Sequence, residues 1–203
     1  MPKRTGRALQ GVIVAATVVL AWTAAAAAAA EPVSPAEPVV AEDALAQCLP
    51  QKGVKKRDLD EFCLLREERI GPLHIGLGEK EAIAAIPCPV SRGKETFLEA
   101  TDDYGQKLSF PACGVELDVV SSGKGEAKSV TAIVISQPSQ LATSRGIRVG
   151  SSEEEVLEAY QPFLDRSATR RGKTIVAGSI YGGLIISIAQ GKVSEIFLGA
   201  VAE

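Results

Sequence analysis

Aromatic residues make up only 4% of this 203-residue chain, histidine occurs once, and no asparagine follows Glu31. With so few rings, a core must be built from Val, Ile, Leu and Ala, and a hydrophobic content of 46% supplies them. The single histidine, His74, has no second histidine to share a metal with, and no cysteine pair has C-x-x-C spacing, which disfavours zinc. Without asparagine there is no N-glycosylation sequon. A basic excess is missing as well: the net charge is −3. Lys3, Arg4 and Arg7 lie in the first 30 residues, which leaves 19 basic against 25 acidic residues beyond them, a net of −6. Such a surface does not neutralise nucleic-acid phosphates and does not attach through a polybasic patch to anionic lipid.

The N-terminus is organised as a secretory signal. Lys3, Arg4 and Arg7 form a positive start, Gly11 to Ala30 is apolar apart from Thr17 and Thr23, and Ala28–Ala30 offer the small side chains that a signal peptidase accepts. Cleavage is expected between Ala30 and Glu31. The same run is about long enough to span a bilayer, so an uncleaved anchor is the alternative. Leu45-Ala-Gln-Cys48 has the outline of a lipoprotein box, but Gln47 is not small and Glu42 and Asp43 interrupt the approach, so Cys48 reads as an ordinary cysteine.

All four cysteines, Cys48, Cys63, Cys88 and Cys113, lie in the exported part. An even count in an oxidising compartment favours two disulfides. Of the three pairings, neighbours in sequence are preferred: Cys48 with Cys63, and Cys88 with Cys113.

Pro32, Pro35 and Pro38 mark residues 31–42 as an extended linker. Residues 43–69 read as an N-terminal helical segment, in which Leu59, Phe62, Cys63 and Leu65 form one face before Gly71 and Pro72 break the chain. Residues 70–142 and 143–203 then read as two copies of one unit. At an offset of 74 residues, Ile75 and Gly76 fall on Val149 and Gly150, Glu79 and Glu81 on Glu153 and Glu155, and Ile86 on Tyr160. Each glycine permits a turn, and Gly78 or Ser152 takes the helix N-cap. The glutamates suit the helix dipole, which explains them without catalysis. Pro87 and Pro162 end the helices. Leu108–Phe110, Val115–Val120 and Val130–Ile135 read as strands in the first copy, and Thr174–Ala177, Leu184–Ile188 and Val193–Leu198 in the second. Val115, Leu117 and Val119 alternate with Glu116 and Asp118, which implies one wet face. Two meanders joined edge to edge would form one sheet, with both helices on one face and the other face free for a partner.

The run T-S-R-G-I-R-V-G-S-S-E-E-E-V-L-E-A-Y at 143–160 resembles a signature of exported bacterial proteins of the β-lactamase-inhibitor-protein-like type. That group also includes small outer-membrane lipoproteins that support barrel-protein assembly. The resemblance covers roughly residues 70–203. It implies a tandem helix-plus-antiparallel-sheet fold and does not imply one function, since the members differ. This chain has neither the lipoprotein cysteine nor the aromatic content of inhibitors that dock through Tyr, Trp and Phe.

Gly172-Lys-Thr174 lacks the earlier glycine of a phosphate loop, with Ser167 in its place, and reads as a turn entering a strand. Ser91–Lys94 and Ser121–Lys124 match S-x-x-K, but each reads as a glycine-containing turn and K-T-G is absent. His74 reads as a polar residue beside a turn, and Asp102-Asp103 as a solvated turn. Lys55-Lys-Arg57 is followed by Asp58, Asp60 and Glu61, a mixed-charge surface. No residue is assigned to catalysis, a cofactor or a metal. The expectation is an α+β protein, periplasmic or secreted, with no stable membrane anchor after processing. It would act as a non-enzymatic binding module on another envelope or secreted protein. The alternatives are an envelope structural or assembly factor and a cryptic hydrolase.

Overall fold

The computed structural model describes Leu45, Ala46, Cys48, Leu49 and residues 62–200. The expected signal, its cleavage point between Ala30 and Glu31, the linker at 31–42 and the charged run from Lys55 lie outside these residues.

The described chain forms an eight-stranded antiparallel sheet. Its strands are β1 (Ser91–Arg92), β2 (Thr96–Leu98), β3 (Asp103–Phe110), β4 (Val115–Ser121), β5 (Ser129–Ser136), β6 (Thr174–Ser179), β7 (Gly182–Ala189) and β8 (Lys192–Gly199). Their spatial order is β1-β3-β4-β5-β8-β7-β6, and β2 also pairs with β3. The helices are short: α1 (Cys63–Glu67), α2 (Glu79–Ala85) and α3 (Glu153–Ala159). All six strands expected from the apolar alternation form, and most run past the segment that predicted them. β3 begins at Asp103 rather than Leu108, because Asp103–Lys107 is a polar stretch whose hydrogen bonding leaves no mark in the hydrophobic pattern. β1 and β2 were not anticipated for the same reason: every residue in them is exposed.

Alternation decides which side chains meet. Leu108, Val115, Leu117, Ile133, Ile135, Ile175, Leu184, Ile186, Ile196 and Leu198 are buried in one core cluster. Cross-strand partners such as Leu117↔Ile133 and Ile186↔Ile196 put these β-branched and leucine side chains side by side. The two meanders β3-β4-β5 and β6-β7-β8 join through β5 and β8, where Ile133 faces Leu198 and Ile135 faces Ile196. Ala82 of α2 and Val156 of α3 enter the same core.

The chain around α2 and α3 is built alike. Gly76 and Gly150 both have positive φ, 84° and 93°, a backbone region that side chains resist. The Gly76 N–H donates to Val130 O, and the Gly150 N–H to Val193 O, at 2.8 Å each. The Glu79 N–H donates to Lys128 O and the Glu153 N–H to Gly191 O. Register bulges fall at Asp118/Val119 and at Ser187/Ile188. The helix starts differ in chemistry. Ser152 and Glu155 form a reciprocal capping box, whereas Gly78 contributes no side-chain bond.

α1 corrects the sequence expectation in detail. It does form near the predicted place, but the residue it buries is Leu64, while Phe62 is exposed. Leu59 lies outside the described residues. A helix of only five residues cannot present a periodic face, and Leu64 is selected by its position over β6 and β7.

Ion pairs tie down the β1–β2 flap at two points, Arg92 of β1 to Glu79 of α2 and Glu95 to Lys128. Lys128, itself buried, reaches Glu95 at 2.6 Å. The Gly125 N–H donates to the same carboxylate. The Lys128 hydrogen bond holds the Glu95 carboxyl below its usual range, with the Gly125 bond assisting. A depressed carboxylate stabilises the folded state above its unfolded pKa and loses that contribution as pH falls through the folded value. Amide exchange in residues 91–98, corrected for intrinsic rates, should therefore accelerate on acidification below the ordinary glutamate range. In Glu95→Gln the flap should already be loose at neutral pH; equal protection in both proteins would show that the pair does not hold the flap.

Candidate protein-binding surface

Both long edges of the sheet are already covered. The outer edge of β3 carries β1 and β2. On β6, the Asp165 N–H donates to Val176 O at 2.9 Å, and the Val176 N–H donates to Thr169 Oγ1 at 3.1 Å. Strand addition by a partner is thus disfavoured at β3 and β6, and recognition falls to faces and turns.

The face opposite the core alternation has two halves. On β3 and β4, the exposed Lys107 bridges exposed Glu116 and half-buried Asp118 at 3.3 and 3.4 Å. Such exposed pairs contribute little to stability. Across β5, β8, β7 and β6, the register aligns Val134, Phe197, Ile185 and Val176 in an apolar row. Val134, Phe197 and Ile185 are half-buried and Val176 is buried. A methyl built on Gly199 would sit 2.9 Å from the Phe197 ring, so that ring lies back over the glycine.

Large exposed hydrophobics are few among the described residues: Phe62 (38%), Phe97 (48%), Leu98 (37%), Ile180 (37%) and Tyr181 (51%). Phe97 packs on Tyr104 with ring centroids 5.2 Å apart, Leu98 lies against Gly105, and Phe62 lies against Gly182. Phe62, Ile180 and Tyr181 gather at one corner. Ile180 and Tyr181 are the two residues of the β6–β7 turn, between paired Ser179 and Gly182. A side chain at Gly182 would overlap the Phe62 ring, which places Phe62 beside that turn. Two-residue hairpin turns ordinarily use Gly, Asn or Asp. The β7–β8 turn comes closer to that chemistry with Gln190 and Gly191, both at positive φ. The β6–β7 turn instead shows solvent an aliphatic and an aromatic side chain.

The main buried polar cluster is structural. Glu68 is fully buried, and its carboxylate accepts from Arg69 N (3.0 Å), Ser144 N (2.9 Å), Ser144 Oγ (2.5 Å) and Tyr160 Oη (2.9 Å). Burial and then the Glu68 charge raise the Tyr160 phenol far above its ordinary value, so it stays a donor. Arg145 stacks 4.8 Å from the Phe163 ring centroid and donates to Ala159 O at the end of α3, as a cation suits a helix C-terminus.

The residues weighed for catalysis stay dispersed. Gly172 lies in the turn before β6, which Thr174 begins. Ser121 ends β4 and donates to Gly123 O. Ser91 lies in β1, not in a turn, because pairing with Ser109 extends the backbone there. His74 Nδ1 lies 2.9 Å from Ile75 O, and Asp102 occupies a turn at φ 60°. Cys48–Cys63 and Cys88–Cys113 are disulfides, the pairing preferred from sequence. Cys48 is thereby engaged in a cross-link, as its reading as an ordinary cysteine requires. Two disulfides fit an oxidising compartment. Among the described residues no helix is long and apolar enough to cross a membrane. Phe110 is wholly buried while Tyr181 is exposed. The corner itself escaped sequence reasoning; its one signal was an Ile-Tyr pair between two strands where polar residues were due.

Comparison with family models, with curated proteins and with solved structures finds no match to this chain.

Proposed function

We propose that this protein is an exported, non-enzymatic binding module made of two copies of a helix-plus-meander unit, with both helices on one face of the shared sheet. The common hydrogen bonds before α2 and α3 and the matching bulges in β4 and β7 support the duplication. The likeness of residues 143–160 to β-lactamase-inhibitor-protein-like proteins points the same way. The observation that carries the binding role is the corner of Phe62, Ile180 and Tyr181. Clustered exposed aromatic and aliphatic groups mark interaction sites, and Tyr is enriched among the residues that dominate binding energy. The partner is another envelope or secreted protein.

The test is photo-cross-linking in living cells from position 181, with position 190 at the neighbouring turn as control. One dominant protein should be captured from 181 and not from 190. Tyr181→Ala should weaken its recovery by roughly 30-fold, as loss of about 2 kcal/mol implies. Equal capture from both positions would remove the corner as the site. Recovery of a set of barrel-assembly components would instead favour an assembly role.

A further inference from the structure

The β2–β3 hairpin leaves aromatic and aliphatic surface open to solvent at the edge of the sheet. Phe97 and Leu98 are exposed, and the Phe97 ring lies tilted at 55° against Tyr104, its cross-strand partner. Exposed large apolar groups gathered in this way mark an interaction site. The turn that presents them is ordered. The Thr101 and Asp102 N–H groups both donate to Leu98 O, at 3.2 and 2.9 Å, and Asp102 holds φ 60°.

The charge around this surface has one sign. The run Glu95-Thr-Phe-Leu-Glu-Ala-Thr-Asp-Asp-Tyr104 contains four acids and no base. Glu95, at the root of the hairpin, is answered by Lys128, with Lys124 also near. Glu99, Asp102 and Asp103, at the tip, form no ion pair and accept no hydrogen bond among the described residues. Elsewhere the sheet surface is compensated: Lys107 answers Glu116 and Asp118, and Arg171 answers Glu153 and Glu154.

The register fixes where the tip lies. β3 begins beside the end of β4 (Tyr104↔Ser121), and β5 begins there too (Val120↔Ser129). Ala132 near the start of β5 faces Gly199 at the end of β8, and Gly199 faces Gly183 near the start of β7. The β2–β3 and β6–β7 turns therefore project from the same end of the sheet, one towards each edge.

We infer that the β2–β3 hairpin is a second contact site of the binding module, and that it takes a basic segment of the partner protein in which Arg or Lys alternates with apolar side chains. A guanidinium stacks on an aromatic face while its N–H groups reach carboxylates. Phe97 and Tyr104 offer the face, and Glu99, Asp102 and Asp103 the uncompensated carboxylates. The same carboxylates repel the phosphates of nucleic acid and of anionic lipid, which leaves a cationic protein segment as the occupant. The inference rests on the binding-module reading and adds the charge of the partner to it.

The probe is the peptide acetyl-Arg-Leu-Arg-Phe-Arg-amide, titrated into the purified, oxidised, isotope-labelled protein and followed by NMR. Saturable shifts are expected at Phe97, Glu99, Asp102 and Tyr104, and they should weaken as ionic strength rises. Exchanging every Arg of the peptide for Glu should abolish them. Exchanging Arg for Gln, or Leu and Phe for Gly, should weaken binding roughly threefold or more. In the protein, Phe97→Ala should weaken binding about two- to fivefold. The combination of Glu99→Gln, Asp102→Asn and Asp103→Asn removes charge at nearly constant shape, serves as the second variant if the first loosens the flap, and should cost roughly threefold or more. No saturable shift, shifts confined to the β6–β7 corner, equal binding of the Gln or Gly peptide, or unchanged affinity in both variants would overturn the assignment. Partner capture at position 181 together with a failed titration would remove the hairpin site and leave the binding module standing. A successful titration without capture at 181 would uphold the hairpin and remove the corner.

Discussion

Glu68→Ala should lower the unfolding free energy by about 2–6 kcal/mol, since it leaves at least two buried donors unsatisfied at about 1–3 kcal/mol each. Four donors converge on this fully buried carboxylate from three places in the chain: Arg69 beside it, Ser144 before α3, and Tyr160 at the end of α3. Its removal leaves the Tyr160 hydroxyl and the Ser144 amide without their acceptor in a dry site, at about 1–3 kcal/mol for each unsatisfied group. Tyr160→Phe is the milder case. It removes one donor and leaves Glu68 three, so a loss of about 1.5–3 kcal/mol is expected. Urea denaturation of both single variants and the double variant closes the cycle. The two losses should fall short of additive in the double variant, by about 0.5–3 kcal/mol, because each change breaks the same bond. A Glu68→Ala loss under 1 kcal/mol would mean that water or rearrangement satisfies the cluster and that the carboxylate does not fix α1. For a domain of ordinary stability, about 5–15 kcal/mol in all, the predicted loss is a large share.

None of this was legible in the sequence, for a physical reason. Glu68 sits in Arg66-Glu-Glu-Arg69, a run indistinguishable from a solvated helix face. Its burial follows from where the chain before α3 passes, and all but one of the donors that bond it lie 76 and 92 residues away. The helices Glu79–Ala85 and Glu153–Ala159 were legible because each is specified locally. A glycine turn, a cap, an acidic first turn and a stop at proline all lie within one short window. Six strands were legible because burial on one face imposes a period of two; β1 and β2, buried on neither, impose none. The cysteine pairing followed from loop size.

The corner at Phe62, Ile180 and Tyr181 lies between these extremes. Each residue reads as ordinary alone, and only packing brings Phe62 next to a turn 118 residues further on. A rule broken locally, apolar residues in a tight turn, was the visible half of that site.

Replacing Cys88 and Cys113 by alanine should lower stability by about 3.5 kcal/mol, and replacing Cys48 and Cys63 by about 3 kcal/mol, from the chain entropy of loops of 25 and 15 residues. Reduction of both would then approach the whole stability of many small domains. The measurement is urea unfolding with and without reductant, with non-reducing peptide mapping to verify the bonds. An unchanged midpoint in reductant, or four free thiols in exported protein, would contradict the framework. The two bonds should differ in one further respect. Cys48–Cys63 is anchored at the start of α1, the helix that also carries Leu64 into the core and is followed directly by Glu68. Once Glu68→Ala has released α1, this disulfide constrains a segment that is partly loose in the folded state as well. Its removal should then cost less than in the intact protein. Cys88–Cys113 joins the chain after α2 to the β3–β4 turn and shares no hydrogen bond with that cluster. Its effect should add to that of Glu68→Ala within about 0.5 kcal/mol. Equal additivity for both bonds would separate the latch at Glu68 from the Cys48–Cys63 bond; the predicted difference would join them as one device that holds α1 against β6 and β7.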